Sequence, residues 1–178
     1  MIIQDKIFNK RIVLKNLNKK NYNKNYPNWL NDYQINRFLE VRFNKQSKKK
    51  IEKYISMSNK NKNCLLLGIF LKKKNVHIGN IKLEPISKIH RRGVIGLFIG
   101  EKSNWGKGLA TDAIKLISKF ANKKFKLKKL VAGCYSNNIG SKKAFLKAGY
   151  VIEAILKNYW FDEKTKKFVS EIILSKDY

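Results

Sequence analysis

A single strand-to-helix junction constrains this 178-residue chain more than any other feature. Asn104-Trp105-Gly106-Lys107-Gly108-Leu109-Ala110 sits between an apolar strand-like run, Val94 to Gly100, and a long amphipathic helix that starts near Leu109. Gly106 and Gly108 let the backbone take conformations that a side chain would block, so successive N–H groups can turn toward one anion. The first turn of the helix adds unpaired N–H groups and the positive end of its dipole. Lys107 adds a mobile positive charge that needs no fixed geometry. The junction reads as a phosphate cradle; the alternative is a plain turn that ends a strand.

Two better-known glycine loops are excluded by spacing. A P-loop requires Gly-x-x-x-x-Gly-Lys-Ser/Thr, and no such string occurs. A dinucleotide fingerprint would need glycine at position 111, which is Thr111.

The wider pattern is more specific. Trp105-Gly106-Lys107-Gly108-Leu109-Ala110 resembles the acetyl-CoA loop of the GNAT superfamily of N-acetyltransferases, Gln/Arg-x-x-Gly-x-Gly/Ala, with Trp105 in the first position. That variant is similar to the branch holding ribosomal-protein N-terminal acetyltransferases and small-amine acetylases. Downstream, Asn138-Ile139-Gly140-Ser141 followed by Lys142 to Tyr150 resembles the family's Asn-x-x-Ser/Ala helix ending in Gly-Phe/Tyr. The two segments stand in the family's order, and the resemblance spans roughly residues 8 to 175.

Composition bounds the rest. The length suits one domain, 1–178, and 43% hydrophobic residues suffice for one core. The longest apolar runs, such as Cys64 to Leu71, fall far below the roughly 20 residues that span a bilayer, and Met1 to Lys6 lacks the apolar block of a signal peptide. Cys64 and Cys134 lie in strand-like stretches with no His nearby, so they read as small core residues rather than a disulfide pair or a nucleophile. A cytoplasmic protein without membrane attachment, monomeric or homodimeric, is expected.

A net charge of +28 ordinarily points to nucleic acid. Of the 40 basic residues, however, only Arg11, Arg37, Arg42, Arg91 and Arg92 are arginine, the side chain that forks onto bases and phosphates. Abundant Lys, Asn and Ile is what an A/T-rich coding sequence produces on solvated faces. Nucleic-acid binding is therefore not expected as the main function.

The order of elements follows from periodicity. Arg11 to Leu17 alternates as a strand; a short helix is expected around Trp29 to Asp32; a second runs from the N-cap Ser47 through Met57. Strands follow at Cys64 to Leu71 and Val76 to Leu83, then Pro85 interrupts, and another strand spans Gly93 to Gly100. The long helix, with Leu109, Ala113, Leu116, Ile117 and Phe120 on one face, leads to strand Leu130 to Tyr135, helix Ile139 to Ala148 with Gly149 at C′, and strands Tyr150 to Phe161 and Phe168 to Leu174. This is a mixed α/β (α+β) chain with a mostly antiparallel sheet of about seven strands and about four helices. The resemblance implies a single-domain GNAT fold with a V-shaped splay between the fourth and fifth strands, Gly93 to Gly100 and Leu130 to Tyr135.

The resemblance also implies the site. Acetyl-CoA would serve as co-substrate, its pantetheine on main-chain groups of Leu97, Phe98 and Ile99, its pyrophosphate on Trp105, Gly106, Lys107, Gly108, Leu109 and Ala110. Asn138 and Ser141 would contact it from the second helix, although Asn138 suits a plain N-cap equally well. No metal is expected. The reaction would be direct attack of an amine on the thioester in a ternary complex.

The catalytic groups depart from the family pattern. The Tyr that many members place seven residues after the Asn is Phe145 here, so either another donor such as Tyr150, Tyr159 or Ser141 serves, or water does, or catalysis is slower. The strand before the loop carries no Glu in Gly93-Val94-Ile95-Gly96, which leaves Glu84 as the candidate base, against a reading as a surface carboxylate. Glu40 and Asp32 lie where the family's first helices line the acceptor side. His90-Arg91-Arg92 is similar to spermidine acetyltransferases, which use acidic acceptor sites, whereas this chain holds only 12 acidic residues. Arg37 and Arg42, flanking Glu40, suit a phosphorylated or nucleotide-linked amino sugar. The expected activity is N-acetylation of a small-molecule primary amine, leaning to an amino sugar or nucleotide amino sugar. Protein N-terminal or polyamine acetylation is the alternative within the class, and a catalytically reduced basic RNA-binding or scaffold module the alternative outside it.

Overall fold

The computed structural model describes residues 1–178. The alternation over Arg11 to Leu17 is realised as β2 (Ile12–Asn16), preceded by a two-residue strand, β1 (Ile7–Phe8), too short for periodicity to show. Two short helices follow, α1 (Tyr26–Asn31) and α2 (Tyr33–Asn36), where one was expected. Asp32 makes the break: its extended backbone ends α1, and its side chain accepts from the Gln34 N–H to cap α2. A 3-10 turn, Glu40–Phe43, leads to α3 (Lys48–Lys60), whose cap Ser47 accepts from the Lys50 N–H as the sequence indicates.

β3 (Leu65–Leu71) and β4 (Val76–Ser87) form a hairpin through the lysine turn, and β4 continues past Pro85 rather than ending before it. Its ladder to β5 (Arg92–Ile99) jumps from Leu83↔Ile95 to Ile86↔Gly93. Glu84 and Pro85 occupy the resulting bulge, where the N–H that proline lacks has no ladder partner to lose.

After β5 come α4 (Leu109–Phe125), β6 (Lys129–Tyr135), α5 (Ile139–Lys147), β7 (Val151–Asp162) and β8 (Lys167–Asp177). The eight strands are ordered β1-β2-β3-β4-β5-β6-β8-β7, antiparallel throughout except for β5 with β6. The excess over seven strands and four helices is β1 and the α1/α2 break.

One face of the sheet packs on α4 and α5, the other on α1 to α3. Ala113, Ile114, Ile117 and Ala121 of α4 are fully buried, and each isoleucine contributes about 1.5–3 kcal/mol by leaving water. No helix is long and apolar enough to cross a membrane.

The β5 and β6 strands hold together only from Arg92↔Lys129 to Val94↔Val131. Beyond Val94, β5 stays on β4 as far as Ile99↔Gly79, while β6 stays on β8 as far as Tyr135↔Glu171. Each strand keeps one partner and the gap between them opens as a V, at the place the resemblance implies.

Candidate active site

The junction at residues 105–110 follows the end of β5, where the V is open. Gly106 and Gly108 both take φ +74°, the left-handed region that penalises a Cβ. Gly108 precedes α4 without a side chain to cap it, and the first helical bond runs from the Asp112 N–H to the Gly108 carbonyl oxygen at 3.1 Å. The N–H groups of Leu109, Ala110 and Thr111 are left without helical partners.

Arg11, in the β1–β2 turn, shapes this loop from almost a hundred residues away. Its Nε donates to Asp112 Oδ2 at 2.7 Å and its Nη1 to the Lys107 carbonyl oxygen at 2.7 Å. Asp112, the acidic residue in the first turn of α4, is thereby committed to Arg11 rather than to the free N–H groups. A peptide plane points its C=O and N–H in opposite directions, so drawing the Lys107 carbonyl toward Arg11 turns the Gly108 N–H away from it. Several donors thus face one open region at the positive end of α4, and a Cβ on Gly106 would meet nothing within 4 Å. This cradle fits a pyrophosphate.

Along the V, alternate residues of β5 turn their backbone groups to opposite sides. The Gly100 N–H bonds to Ile78 of β4 at 2.8 Å, which leaves Leu97 and Ile99 facing the V. The Ile99 carbonyl oxygen is already taken by the Trp105 indole N–H at 2.8 Å. Of the expected trio, Leu97 keeps both groups and Ile99 keeps its N–H. Phe98 pairs with Asn80 across the β4 ladder and sends its ring toward Tyr26, with centroids 5.8 Å apart.

Asn138 fulfils the capping reading. Its Oδ1 accepts from the Ser141 N–H at 3.1 Å, which leaves the Nδ2 group for a further partner. Cys64 and Cys134 are buried and unpaired, and burial is the main reason that both thiols are pushed up.

Behind the V, on the face opposite α4, a cavity of about 290 Å³ lies between the sheet and α1 to α3. Tyr26, Glu40, Tyr54, Asn80 and Lys82 supply its polar edge, and Gly96 and Leu97 of β5 border it. Burial works against the Lys82 charge, but Tyr54 and Glu84 outweigh it and lift the ammonium pKa.

Glu40 and Arg42 meet Tyr135 at the end of β6, 93 residues or more away in sequence. The Tyr135 hydroxyl donates to Glu40 Oε1 at 2.9 Å and accepts from Arg42 Nη2 at 2.9 Å, while Arg42 Nη1 reaches Glu40 Oε1 at 3.1 Å. The Tyr135 ring stacks on Trp160 with centroids 5.3 Å apart. Opposite Tyr135 on β8, the Glu171 carboxylate lies over Gly133, in space that a side chain there would fill. Burial, and then the Glu40 charge, push Glu171 above the usual carboxylate range.

Four residues named from sequence sit elsewhere. Glu84, in the β4 bulge, is tied to Lys82 Nζ at 2.7 Å and Asn61 Nδ2 at 3.1 Å and does not line the cavity. Tyr150 is buried with its hydroxyl 2.8 Å from Ser118 Oγ, because the strand after α5 turns it under α4. Phe145, also buried, packs edge-on against Tyr150 with centroids 5.1 Å apart. Arg37 is exposed and rests on the Phe38 ring rather than joining Arg42.

This geometry has known counterparts. The family described as Acetyltransferase (GNAT) domain matches residues 11–151. The chain belongs to that family. Over 91 residues this GNAT chain is 33% identical to the probable N-acetyltransferase YjcK of Bacillus subtilis, an alignment covering 51% of the chain and 50% of the relative. It therefore spans about half the length of that curated relative. Among solved structures, the microcin C7 self-immunity acetyltransferase MccE, in complex with acetyl-CoA and AMP, superposes with TM-score 0.80 at 23% identity, over 96% of this chain and 94% of the other. Spermidine N-acetyltransferase from Vibrio cholerae, in complex with CoA and spermine, gives TM-score 0.81 at 18% identity, over 95% and 96%. At these identities the likeness is one of fold.

Within the GNAT frame, three functional candidates escaped sequence reading: Arg11, Tyr135 and Glu171. Arg11 had one usable signal. In a chain that uses lysine for nearly every positive charge, an arginine marks a place where the planar fork is needed. Glu171 and Tyr135 had none, since their pairing depends on the β6–β8 register.

Proposed function

We propose that this chain is an acetyl-CoA-dependent N-acetyltransferase that acts on a primary amine of a small molecule, with an amino sugar or nucleotide amino sugar as the favoured class. The observation that carries the reading is the junction of the V with two features at once: the donor-rich cradle at the start of α4 and the cavity bordered by Gly96 and Leu97. Bound acetyl-CoA would supply an activated acyl group as a thioester. Gly106, Lys107, Gly108, Leu109 and Ala110 hold its pyrophosphate, Leu97 and the Ile99 N–H its pantetheine amides, and Asn138 Nδ2 adds a donor from α5.

On the acceptor side, Glu40 attracts the substrate ammonium, and Glu171 takes a proton from it to expose the nucleophilic lone pair. A carboxylate raised by burial and by a like charge is suited to hold that proton near neutral pH. Arg42 and Tyr135 fix Glu40 in place. Lys82 and Arg42 leave this side mixed in charge, which favours an amine that also carries oxygen functions over a polyamine.

The test is in two parts. Acetyl-CoA should raise Tm as RT ln(1 + [L]/Kd), and an amine panel scored for CoA release should contain a substrate. No Tm shift at millimolar acetyl-CoA overturns the proposal.

A further inference from the structure

The cavity behind the V contains a polar group that the protein itself does not use. Asn80, 4% exposed, lines the cavity, and its Nδ2 makes no hydrogen bond of normal geometry, although the Tyr26 hydroxyl lies beside it. A buried amide donor left unpaired costs about 1–3 kcal/mol, so a ligand that enters the cavity without an oxygen acceptor at this point leaves that cost unmet.

Its orientation is set by a relay. The Asn23 backbone N–H donates to His77 Nδ1 at 3.0 Å, so the neutral ring carries its proton on Nε2. His77 Nε2 lies 2.7 Å from Asn80 Oδ1, which must therefore be the oxygen that accepts. The Asn80 amide cannot flip without setting donor against donor. Asn23 Nδ2 closes the relay by donating to the His77 carbonyl oxygen at 3.1 Å. His77 is itself packed among Tyr26, Trp29 and Phe70, with ring centroids 5.9, 5.4 and 5.1 Å away, so the relay is rigid.

The rest of the polar lining is mixed in charge. Lys82 lines the same space with its ammonium held by Glu84 at 2.7 Å, and the Tyr26 hydroxyl lies beside Asn80. The single carboxylate lining the cavity is Glu40, from the 3-10 turn. One end of the cavity therefore suits an ammonium, and the wall on β4 offers the Asn80 amide, a donor that an oxygen acceptor satisfies.

We infer that Asn80 is a specificity-determining residue which donates to a hydroxyl or carbonyl oxygen of the amine substrate, so that the acceptor is an oxygen-bearing amine and not an alkyl polyamine. This rests on the N-acetyltransferase reading and names the substrate class of the same site. A site built to hydrogen-bond a substrate oxygen rejects the analogue that lacks it, because the buried donor is then left unpaired.

The experiment pairs two probes of similar shape, D-glucosamine and cyclohexylamine, with spermidine as a third. The wild-type protein should acetylate glucosamine with kcat/KM at least tenfold above both other amines. Asn80→Leu should reduce that preference at least tenfold, chiefly by lowering the glucosamine value, with the acetyl-CoA Tm shift unchanged. Asn80→Asp keeps the acceptor for His77 while replacing the donor, and should lose the preference even if the leucine variant folds poorly. A second readout needs no turnover: the Asn80 side-chain amide resonance should move on adding glucosamine and stay put with cyclohexylamine. Equal wild-type values for the paired amines, or a preference retained in both variants, overturns the assignment. Failure of the underlying reading is separate, since it shows as a missing acetyl-CoA shift in the wild-type protein.

Discussion

The carboxylate of Glu171 rests over the bare α-carbon of Gly133, across the open part of the sheet and within range of the Glu40 charge. The arrangement stores a proton acceptor beside the V at a cost in stability, because its folded pKa is raised above the unfolded 4.5. A carboxylate of this kind destabilises the fold as pH rises through its folded pKa, where the unfolded chain ionises more readily. Glu171→Gln should therefore lower kcat by about 10²- to 10⁴-fold, remove the acidic limb of the pH–rate profile, and leave Tm at pH 8 equal or higher. An unaltered profile would remove Glu171 as the base. Gly133→Ala, which crowds the carboxylate, should slow turnover without changing the acetyl-CoA Tm shift.

Arg11 joins the β1–β2 turn to the 105–110 loop through Lys107 and Asp112. Its side chain is half exposed, at 49%, so the ion pair itself contributes at most about 1 kcal/mol to stability. Its larger role is to hold the loop carbonyls on one side. Arg11→Lys keeps the charge and loses the fork, so acetyl-CoA affinity should fall about tenfold, the equivalent of 1.4 kcal/mol, with Tm of the free protein nearly unchanged. Calorimetric titration showing wild-type affinity would refute the positioning role.

Gly108 is the most demanding position of the cradle. Valine there faces a φ of +74° and a Cβ about to crowd the Arg11 guanidinium at 3.4 Å, a strain of about 1–3 kcal/mol. Gly108→Val should lower Tm by several degrees and abolish the shift with acetyl-CoA. Undiminished binding would refute the cradle.

Tyr150 separates structural from catalytic roles. Its hydroxyl serves Ser118 inside the core, so Tyr150→Phe should cost about 1 kcal/mol of stability by stranding that partner. Rates with a competent amine should stay within about twofold of wild type, well short of the 10²-fold loss expected of a general acid.

His77 makes stability depend on pH. Burial pushes its pKa down to about 4 from 6.5. Between those values the unfolded chain binds a proton that the folded chain refuses, so this contribution is complete above pH 6.5 and is lost as pH falls toward 4. The total is about 3 kcal/mol. Denaturant melts from pH 7 to 4 should show that slope, and His77→Gln should flatten it, at a lower overall stability.

Much of the fold was legible in advance. The helix after Gly108, the Ser47 cap, the Asn138 helix and the lysine-turn hairpin all follow from patterns a few residues long, and the structure reproduces them, with α3 running three residues past Met57 and β4 four past Leu83. The departures have local causes. β1 is two residues long, and Pro85 sits in a bulge where its missing N–H is harmless. Phe98 was grouped with Leu97 and Ile99 because strand parity relative to β4 cannot be seen without the register. Glu40 and Arg42, candidates from sequence, share one turn, whereas Glu171 lies on the last strand, where no local pattern marks it.

The amino-acid sequence by itself determined the family and the candidate cradle. Two glycines, the start of a helix and an apolar strand before them are properties of adjacent residues, and with Trp105, Ala110 and the Asn138 helix they carry the resemblance to one family. Tertiary structure alone decided which carboxylate stands at the V, which arginine braces the loop and which amide faces the cavity. Each of these depends on residues brought together by sheet order and strand register, through contacts such as Arg11 with Lys107 and Glu40 with Tyr135 that span more than ninety positions. Local rules set what each segment becomes, and packing of the sheet against its helices sets which side chains meet.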